Sequence, residues 1–406
     1  MLQGLHRGFI GVLTGMLILV SAGTKAQITT GELGGAELNA IQTAVPFLSI
    51  APDSRGGGMG DVGVASTPDV NSQHWNIGKY AFLDSKGGFA ISYTPWLRNL
   101  IPDINLAYLT GFFRIDEQQV ISTSLRYFSL GNITFTNIDG SFAGQYNPNE
   151  FAVDAGYSRL FTDNFSGGIA FRFIRSDLTS GQATSDGQDT KAGISFAADL
   201  GFYYQNEVNV GESDGEWAAG ISLTNMGTPI SYTVDADKTP IPTNMRIGGR
   251  FSYNIDEYNS VAFHADLNKL LVPTPPVKGF NEDSTDVVVV RGKEPPGSTV
   301  LGMVQSFYDA PGGENGSYST FTEEIREIAF SLGVEYWYRD QFAVRTGYFH
   351  EHASKGNRKY FTVGVGMKLN VFALDFAYLV PTNGQSSPLA NTLRFTLGFN
   401  FADLDL

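Results

Sequence analysis

Cysteine is absent from the 406 residues, which rules out disulfides, thiolate metal ligands and a thiol nucleophile. Charge is scarce: 17% of residues are Asp, Glu, Lys or Arg, against about 25% in soluble domains. Positive charge is scarcer still, with 27 Lys and Arg against 41 Asp and Glu, a net charge of −14. Such a balance disfavours a nucleic-acid backbone, which gathers basic surfaces. Beyond the first twenty residues no uninterrupted apolar run of about 18 exists, so no transmembrane helix is expected. No carboxylate pair is set out for acid–base work, so neither catalysis nor a cofactor is expected.

What is present is 13% aromatic residues, 47 glycines and a repeated two-residue rhythm. The chain closes on LRFTLGFNF, where Leu393, Phe395, Leu397, Phe399 and Phe401 share one face of an extended strand. Arg394, Thr396, Gly398 and Asn400 share the other. Phe89, Ile91 and Tyr93 alternate with Ala90, Ser92 and Thr94 in the same way. So do Ile104, Leu106, Tyr108 and Phe112 with Asn105, Ala107 and Gly111. About fourteen such segments recur, each as long as a tilted strand needs to cross a bilayer.

Connections sort by length. Short turns are expected at 115–118, 162–164, 255–258, 339–341 and 369–370. Longer loops fall between them at 131–149, 176–190, 227–242, 271–324, 351–357 and 381–390. The stretch 206–216 is long for a turn in this scheme, and 96–103 is short for a loop. Outer-membrane barrels sort their connections this way, and lipid forces the sheet to close because no edge can leave its backbone unpaired. The expected fold is therefore an all-β transmembrane antiparallel β-barrel of about fourteen strands in the cell outer membrane, over 86–406.

The apolar face would meet lipid and the small, polar face would line a lumen. Lumen charge is expected from Arg126, Arg172, Arg246, Arg250, Asp266, Glu335, Arg345 and Arg394, with both signs present to neutralise each other. Ahead of the barrel, His6 and Arg7 precede an apolar run from Phe9 to Val20 and small residues ending at Ala26. That pattern reads as an export signal over 1–26. The following segment, 27–85, has few clean strands and is expected to fill the interior as a plug, with Arg55, Gly58, Met59, Gly60 and Asp61 at its glycine-rich centre.

The extracellular loop 271–324 is too long to lack structure and is expected to be functional. Val300, Val304, Phe307 and Tyr308 lie at helical spacing within 298–309, and Thr320 with Glu323 reads as a capping box over 320–327. Two motifs carry less than they promise. Gly58 to Gly63 matches G-x-G-x-x-G, but Pro68 leaves no room for the helix a dinucleotide needs, so close backbone packing is the better reading. His350-Glu351-His352 sets two imidazoles near one strand end without a third ligand, so no metal is expected.

The stretch FLSIAPDSRGGGMGDVGVASTPDVNSQHWNIGKYAF, 47–82, resembles the start of the PorV (LptO) family. That family comprises outer-membrane barrels of the type IX secretion system of Bacteroidetes. SFYDAPGG, 306–313, and FTEEIREIAFSLGVEYWYRDQFAVRTGYFHE, 321–351, are similar to the same family's late segment. The wider relationship is to FadL-like barrels with an N-terminal plug.

The resemblance implies a non-catalytic shuttle. Cargo bearing a type IX C-terminal domain would be received at the translocon Sov/SprA and passed to the attachment complex of the sortase PorU, where it is anchored to lipopolysaccharide. Partner contacts are then expected on the extracellular loops, at Tyr232, Val287, Val288, Val289, Phe307 and Tyr308. The alternative is a FadL-like transporter of long-chain fatty acids or other hydrophobic small molecules, against which the Gly-, Ser- and Thr-rich lumen face argues.

Overall fold

The computed structural model describes residues 38–401 apart from 99, 100, 102, 137–139, 180, 182–188, 212, 234–237, 281–285, 383–388, 390 and 391. The expected export signal and residues 27–37 lie outside the described residues. None of the described helices is long and apolar enough to cross a membrane.

Fourteen strands take the places the alternation assigns, and four short ones fall inside stretches expected to be loops. They are β1 (Gly87–Pro95), β2 (Asn105–Arg114), β3 (Gln119–Ser129), β4 (Ile133–Thr136), β5 (Phe142–Tyr146), β6 (Asn149–Thr162), β7 (Phe165–Asp177), β8 (Gly193–Val210) and β9 (Ser213–Gly227). Then come β10 (Asn244–Asp256), β11 (Asn259–Leu270), β12 (Val277–Phe280), β13 (Val287–Arg291), β14 (Ile328–Tyr338), β15 (Phe342–His350), β16 (Lys359–Leu369), β17 (Phe372–Pro381) and β18 (Leu393–Asn400). Fourteen of them close into one antiparallel barrel, while β4–β5 and β12–β13 are separate hairpins within loops. The seam joins β1 to β18 with Phe89 opposite Phe399, Ile91 opposite Leu397 and Tyr93 opposite Phe395. Its apolar rows therefore run on without a break.

The rows point outward. Phe171 is 65% exposed between buried Ala170 and Arg172, and Phe196 is 64% exposed between buried Ser195 and Ala197. Apolar rows this continuous far exceed the patches a water-soluble surface tolerates, and the wall is a lipid-facing one.

β2 departs from the expectation. Leu106, Tyr108 and Phe112 are buried and face inward, and Leu109 and Phe113 are the exposed pair. The inward face is apolar here because the N-terminal segment lays apolar side chains against it: Tyr80 rests 5.5 Å from Phe112, and Leu48 shares a buried cluster with Leu106. Period two says that two faces differ, and it does not say which neighbour each face meets.

Consecutive wall strands run antiparallel, so their connections alternate between two ends. Every short turn falls at one end and every long connection at the other. The stretch 206–216 is a further correction, because β8 reaches Val210 and β9 starts at Ser213, and most of the expected long turn is strand. At Arg339 and Asp340 both φ values are positive, 54° and 52°, the backbone of a tight hairpin turn whose twist matches the strands.

The long β11–β14 loop holds helix α1 (Thr299–Gln305) and helix α2 (Thr320–Arg326). The cap of α2 lies one residue earlier than expected. Ser319 accepts from the Thr322 amide, and the Glu323 carboxylate accepts from the Gly312 amide and from Lys355 instead of returning to the cap. Tertiary partners drew that carboxylate away from the local box.

The segment from Ala44 to Phe82 is enclosed by the barrel. It contacts inward residues of β2, β3, β6, β7, β8, β11, β14, β16 and β18, on all sides of the closed sheet. A one-turn helix, Ser54–Gly57, is capped by the Asp53 side chain, which also accepts from the Trp75 indole at 2.7 Å. Backbone meets backbone at the glycine-rich centre. A Cβ on Gly347 of β15 would come within 2.0 Å of the Met59 carbonyl carbon, and Gly60 (φ 76°) abuts the Tyr348 backbone.

Candidate functional site

Three regions compete for function: the packed interior, the cavities at its two ends, and the long-loop face. In the interior, burial makes each charge costly unless it is paired. Arg172 of β7 bonds Asp154 of β6 at 2.6 Å and Asp199 of β8 at 2.8 Å, bridging three adjacent strands, and Ser124 of β3 donates to Asp154. Glu335 of β14 binds Arg345 of β15 at 2.7 Å, and Arg345 reaches Asp375 of β17 at 2.5 Å. Arg250 pairs with Glu216 across β9 and β10.

The N-terminal segment joins this network. Arg55 makes two bonds to Glu335, at 3.0 and 2.8 Å, and one to Asp69 at 2.9 Å. Asp61 accepts from Arg394 at 2.8 Å and from the Tyr360 hydroxyl at 2.5 Å. Asp266 accepts from the Gly63 and Val64 amides at 2.7 and 3.0 Å. Met59 is fully buried, and Gly58 packs against Gly364 of β16. All eight lumen charges named from the sequence are buried on the inner face. The five residues from the glycine-rich centre lie against β14, β15, β16 and β18. The G-x-G-x-x-G stretch thus serves backbone contact, as its lack of a following helix suggested.

Two cavities flank the segment. One, about 350 Å³, lies toward the long loops and is lined by Ile41, Trp75, Arg246, Asn268, Phe349 and Lys355 among others. The other, about 820 Å³, lies toward the turns, with Arg55, Asp69, Glu216, Arg345, Lys368 and Asp375 in its wall. They share no lining residue, and the segment between Arg55 and Trp75 contributes to both.

The long-loop face carries the largest exposed apolar surface outside the wall. On the β12–β13 hairpin Phe280, Val287, Val288 and Val290 are exposed; on and after α1, Val300, Leu301, Val304, Phe307 and Tyr308 are exposed. Val289 turns the other way and is half-buried, so Val290 and Phe280 are surface residues the sequence reading passed over. An unbroken valine run inside an expected outer loop was the signal for Val290. Tyr232 is half-buried, its hydroxyl 2.9 Å from Ser176 and its ring beside Gly193, away from that surface.

Clamps hold the loop to the rim. Lys269 binds Glu324 and Glu327 at 3.0 and 2.7 Å, and Lys355 binds Glu323 and Glu327 at 2.6 and 3.0 Å. Burial works to raise the Glu327 carboxyl, but Lys355 and Lys269 together outweigh it and hold it below the usual range. Asp309 is the opposite case. Burial, reinforced by Glu324 and Glu327 and only partly offset by the Thr274 amide, pushes its carboxyl up to about 6.

His350 stacks on Phe330 at 4.8 Å, whereas His352 Nδ1 lies 2.9 Å from the Ser354 hydroxyl. Among the described residues no group of three or more His, Asp and Glu is placed to hold a metal ion.

A family model described as "Type IX secretion system protein PorV" matches residues 34–277. No curated protein matches the sequence. Among solved structures, the chain is similar to the Ralstonia pickettii toluene transporter TbuX at 11% identity, with 86% of this chain and 97% of that one covered and a TM-score of 0.44. The Pseudomonas putida toluene transporter TodX gives 9% identity, coverage of 91% and 100%, and a TM-score of 0.45. A Pseudomonas aeruginosa FadL homologue gives 10% identity, coverage of 89% and 99%, and a TM-score of 0.38. Likenesses of this strength carry no functional argument.

Proposed function

The chain belongs to the family of type IX secretion system protein PorV, an outer-membrane family, and on that premise we propose that it is a non-catalytic receptor for secreted cargo. It binds the C-terminal signal domain of cargo at the translocon Sov/SprA and carries it to the attachment complex of the sortase PorU, where lipopolysaccharide is joined. The observation that carries this reading is the loop face. Nine large apolar side chains stand exposed on one clamped loop, from Phe280 to Tyr308, at the end of the barrel where the long connections gather. Apolar surface held out on a rigid support fits a protein partner.

The interior supports the same reading. The 27–85 segment acts as a plug: ion pairs and backbone contacts of its Ala44–Phe82 part fasten it to the wall, between the two end cavities. A lumen filled this way suits a carrier of folded domains on its outer face better than an open pore.

Capture of a tagged cargo C-terminal domain from detergent-solubilised outer membranes tests the proposal. The wild type should recover the domain together with the translocon. Replacing 278–297 by a short Gly-Ser linker should lower recovery at least tenfold while heat-modifiable migration of the barrel persists. Equal recovery by the wild type and the trimmed protein would remove the loop from the mechanism.

A further inference from the structure

The interior arginines do not all have carboxylates. Arg55, Arg172, Arg250, Arg345 and Arg394 each meet at least one. Arg126 and Arg246 do not, among the described residues. Arg126 donates to the Leu48 carbonyl at 2.7 Å and lies 2.9 Å from His74 Nδ1. Arg246, on β10, donates Nε to Asn268 Oδ1 at 2.9 Å and one terminal nitrogen to the His74 carbonyl at 3.2 Å. Its other terminal nitrogen has no hydrogen-bond partner among the described residues, and the guanidinium lies 5.1 Å from the Trp75 ring. Arg246 is 7% exposed and lines the 350 Å³ cavity that faces the long loops.

The other charged groups of that cavity have close partners. Lys355 is held by Glu323 and Glu327, Arg358 by Glu351, and Asp61 by Arg394. Arg246 is the one cation of this lining with no carboxylate in ion-pair contact among the described residues, Asp266 and Asp61 acting on it only from farther off. Beside it Asn268 has committed its carbonyl to Arg246, which leaves its amide nitrogen as a donor, and Asn244 adds a second amide. The remaining wall is largely apolar, with Ile41, Leu270, Ala329 and Phe349.

We propose that this cavity is a binding site for a carboxylate carried on an apolar body, with Arg246 as its ion partner. One guanidinium with two neutral amides matches a single negative charge, and the planar fork matches the two oxygens of a carboxylate. A phosphate dianion would leave charge uncompensated in this wall. A buried guanidinium satisfied only by neutral acceptors gains most from such a ligand, because the desolvation cost has already been met. The carboxylate comes either from the end of a polypeptide chain or from a small monocarboxylic acid. The inference stands apart from the cargo reading, which depends on the loop face.

Thermal unfolding of the full-length protein in maltoside micelles, followed by intrinsic fluorescence, tests it. The probes are hexanoate against hexan-1-ol, and acetyl-Gly-Ala-Leu as free acid against its amide. At least one acid should raise Tm saturably while its neutral counterpart does not. A response to the peptide acid alone identifies a chain terminus, a response to hexanoate alone a free acid, and a response to both a site that reads the carboxylate only. Arg246→Met should weaken the acid at least tenfold in a folded barrel. Asn268→Asp, which sets a carboxylate beside Arg246 from within, should compete the acid away to the same degree and serves if the first variant does not fold. Acids that act no better than their neutral counterparts, or variants that bind acid as the wild type does, would overturn the site. Neither outcome bears on cargo capture, which is measured separately.

Discussion

Arg172 holds Asp154 and Asp199 together across three strands. Removing the cation alone strands two buried carboxylates. Arg172→Met should therefore lower barrel stability by about 3–5 kcal/mol in urea unfolding from lipid vesicles. Neutralising all three, with Asp154→Asn and Asp199→Asn added, should recover most of the loss, because the cost lies in the unpaired charge and the residues form one coupled unit.

Asp309 belongs to the same scale, with the opposite sign. Its folded pKa is raised from 3.8 to about 6, so the folded loop binds a proton that the unfolded chain has already released. Loop stability from this group is greatest below about pH 4, declines as pH rises through about 6, and stays low above it. Asp309→Asn removes the penalty. Proteinase K nicking within the β11–β14 loop should be slower in Asp309→Asn than in the wild type at pH 7.5, and alike in the two at pH 4.

Elements show how a segment with little regular structure is seated. Between Asp53 and Phe82 the chain makes only helices of four to six residues, so its order comes from the wall. β14 and β15 each present a glycine to Met59: a Cβ on Gly333 would lie 2.7 Å from the Met59 carbonyl oxygen, and one on Gly347 would overlap the backbone. Backbone cannot swing aside as a side-chain tip can. Gly347→Val should therefore displace the enclosed segment Ala44–Phe82 without opening the wall. In a liposome-swelling assay it should admit small sugars that the wild type excludes, while heat-modifiable migration is kept. Unchanged exclusion would show that the seat tolerates a side chain.

The loop element follows the same logic of support. Three carboxylates of the α2 region grip Lys269 at the end of β11 and Lys355 in the β15–β16 connection, which leaves the apolar side chains of α1 and of the hairpin facing out. Rigid support lowers the ordering cost a partner would otherwise meet on docking.

At the scale of the whole molecule, closure is the governing fact. Fourteen strands pair around the ring, and the outward rows stay apolar across the β1–β18 seam. With no native cysteine, a single nitroxide can be placed anywhere. A label at Leu397→Cys in liposomes should be reached by oxygen and shielded from an aqueous nickel chelate. One at Asn315→Cys, on the long loop, should show the reverse. Equal nickel access at both would remove the lipid-facing wall.

The sequence by itself determined the barrel, the lipid-facing rows, the sorting of short and long connections and the pool of lumen charges. These follow from side-chain alternation, and which of two faces a residue occupies is local to its strand. Only the tertiary structure decided who meets whom inside. Arg55 and Glu335 are 280 residues apart, and Asp61 and Arg394 are 333 apart. No periodicity encodes such pairings. The same cause turned β2 around, because its inner face answers to Tyr80 and Leu48 and not to its own alternation. It also left Arg246 without a carboxylate in ion-pair contact among the described residues, which no single strand's pattern could show.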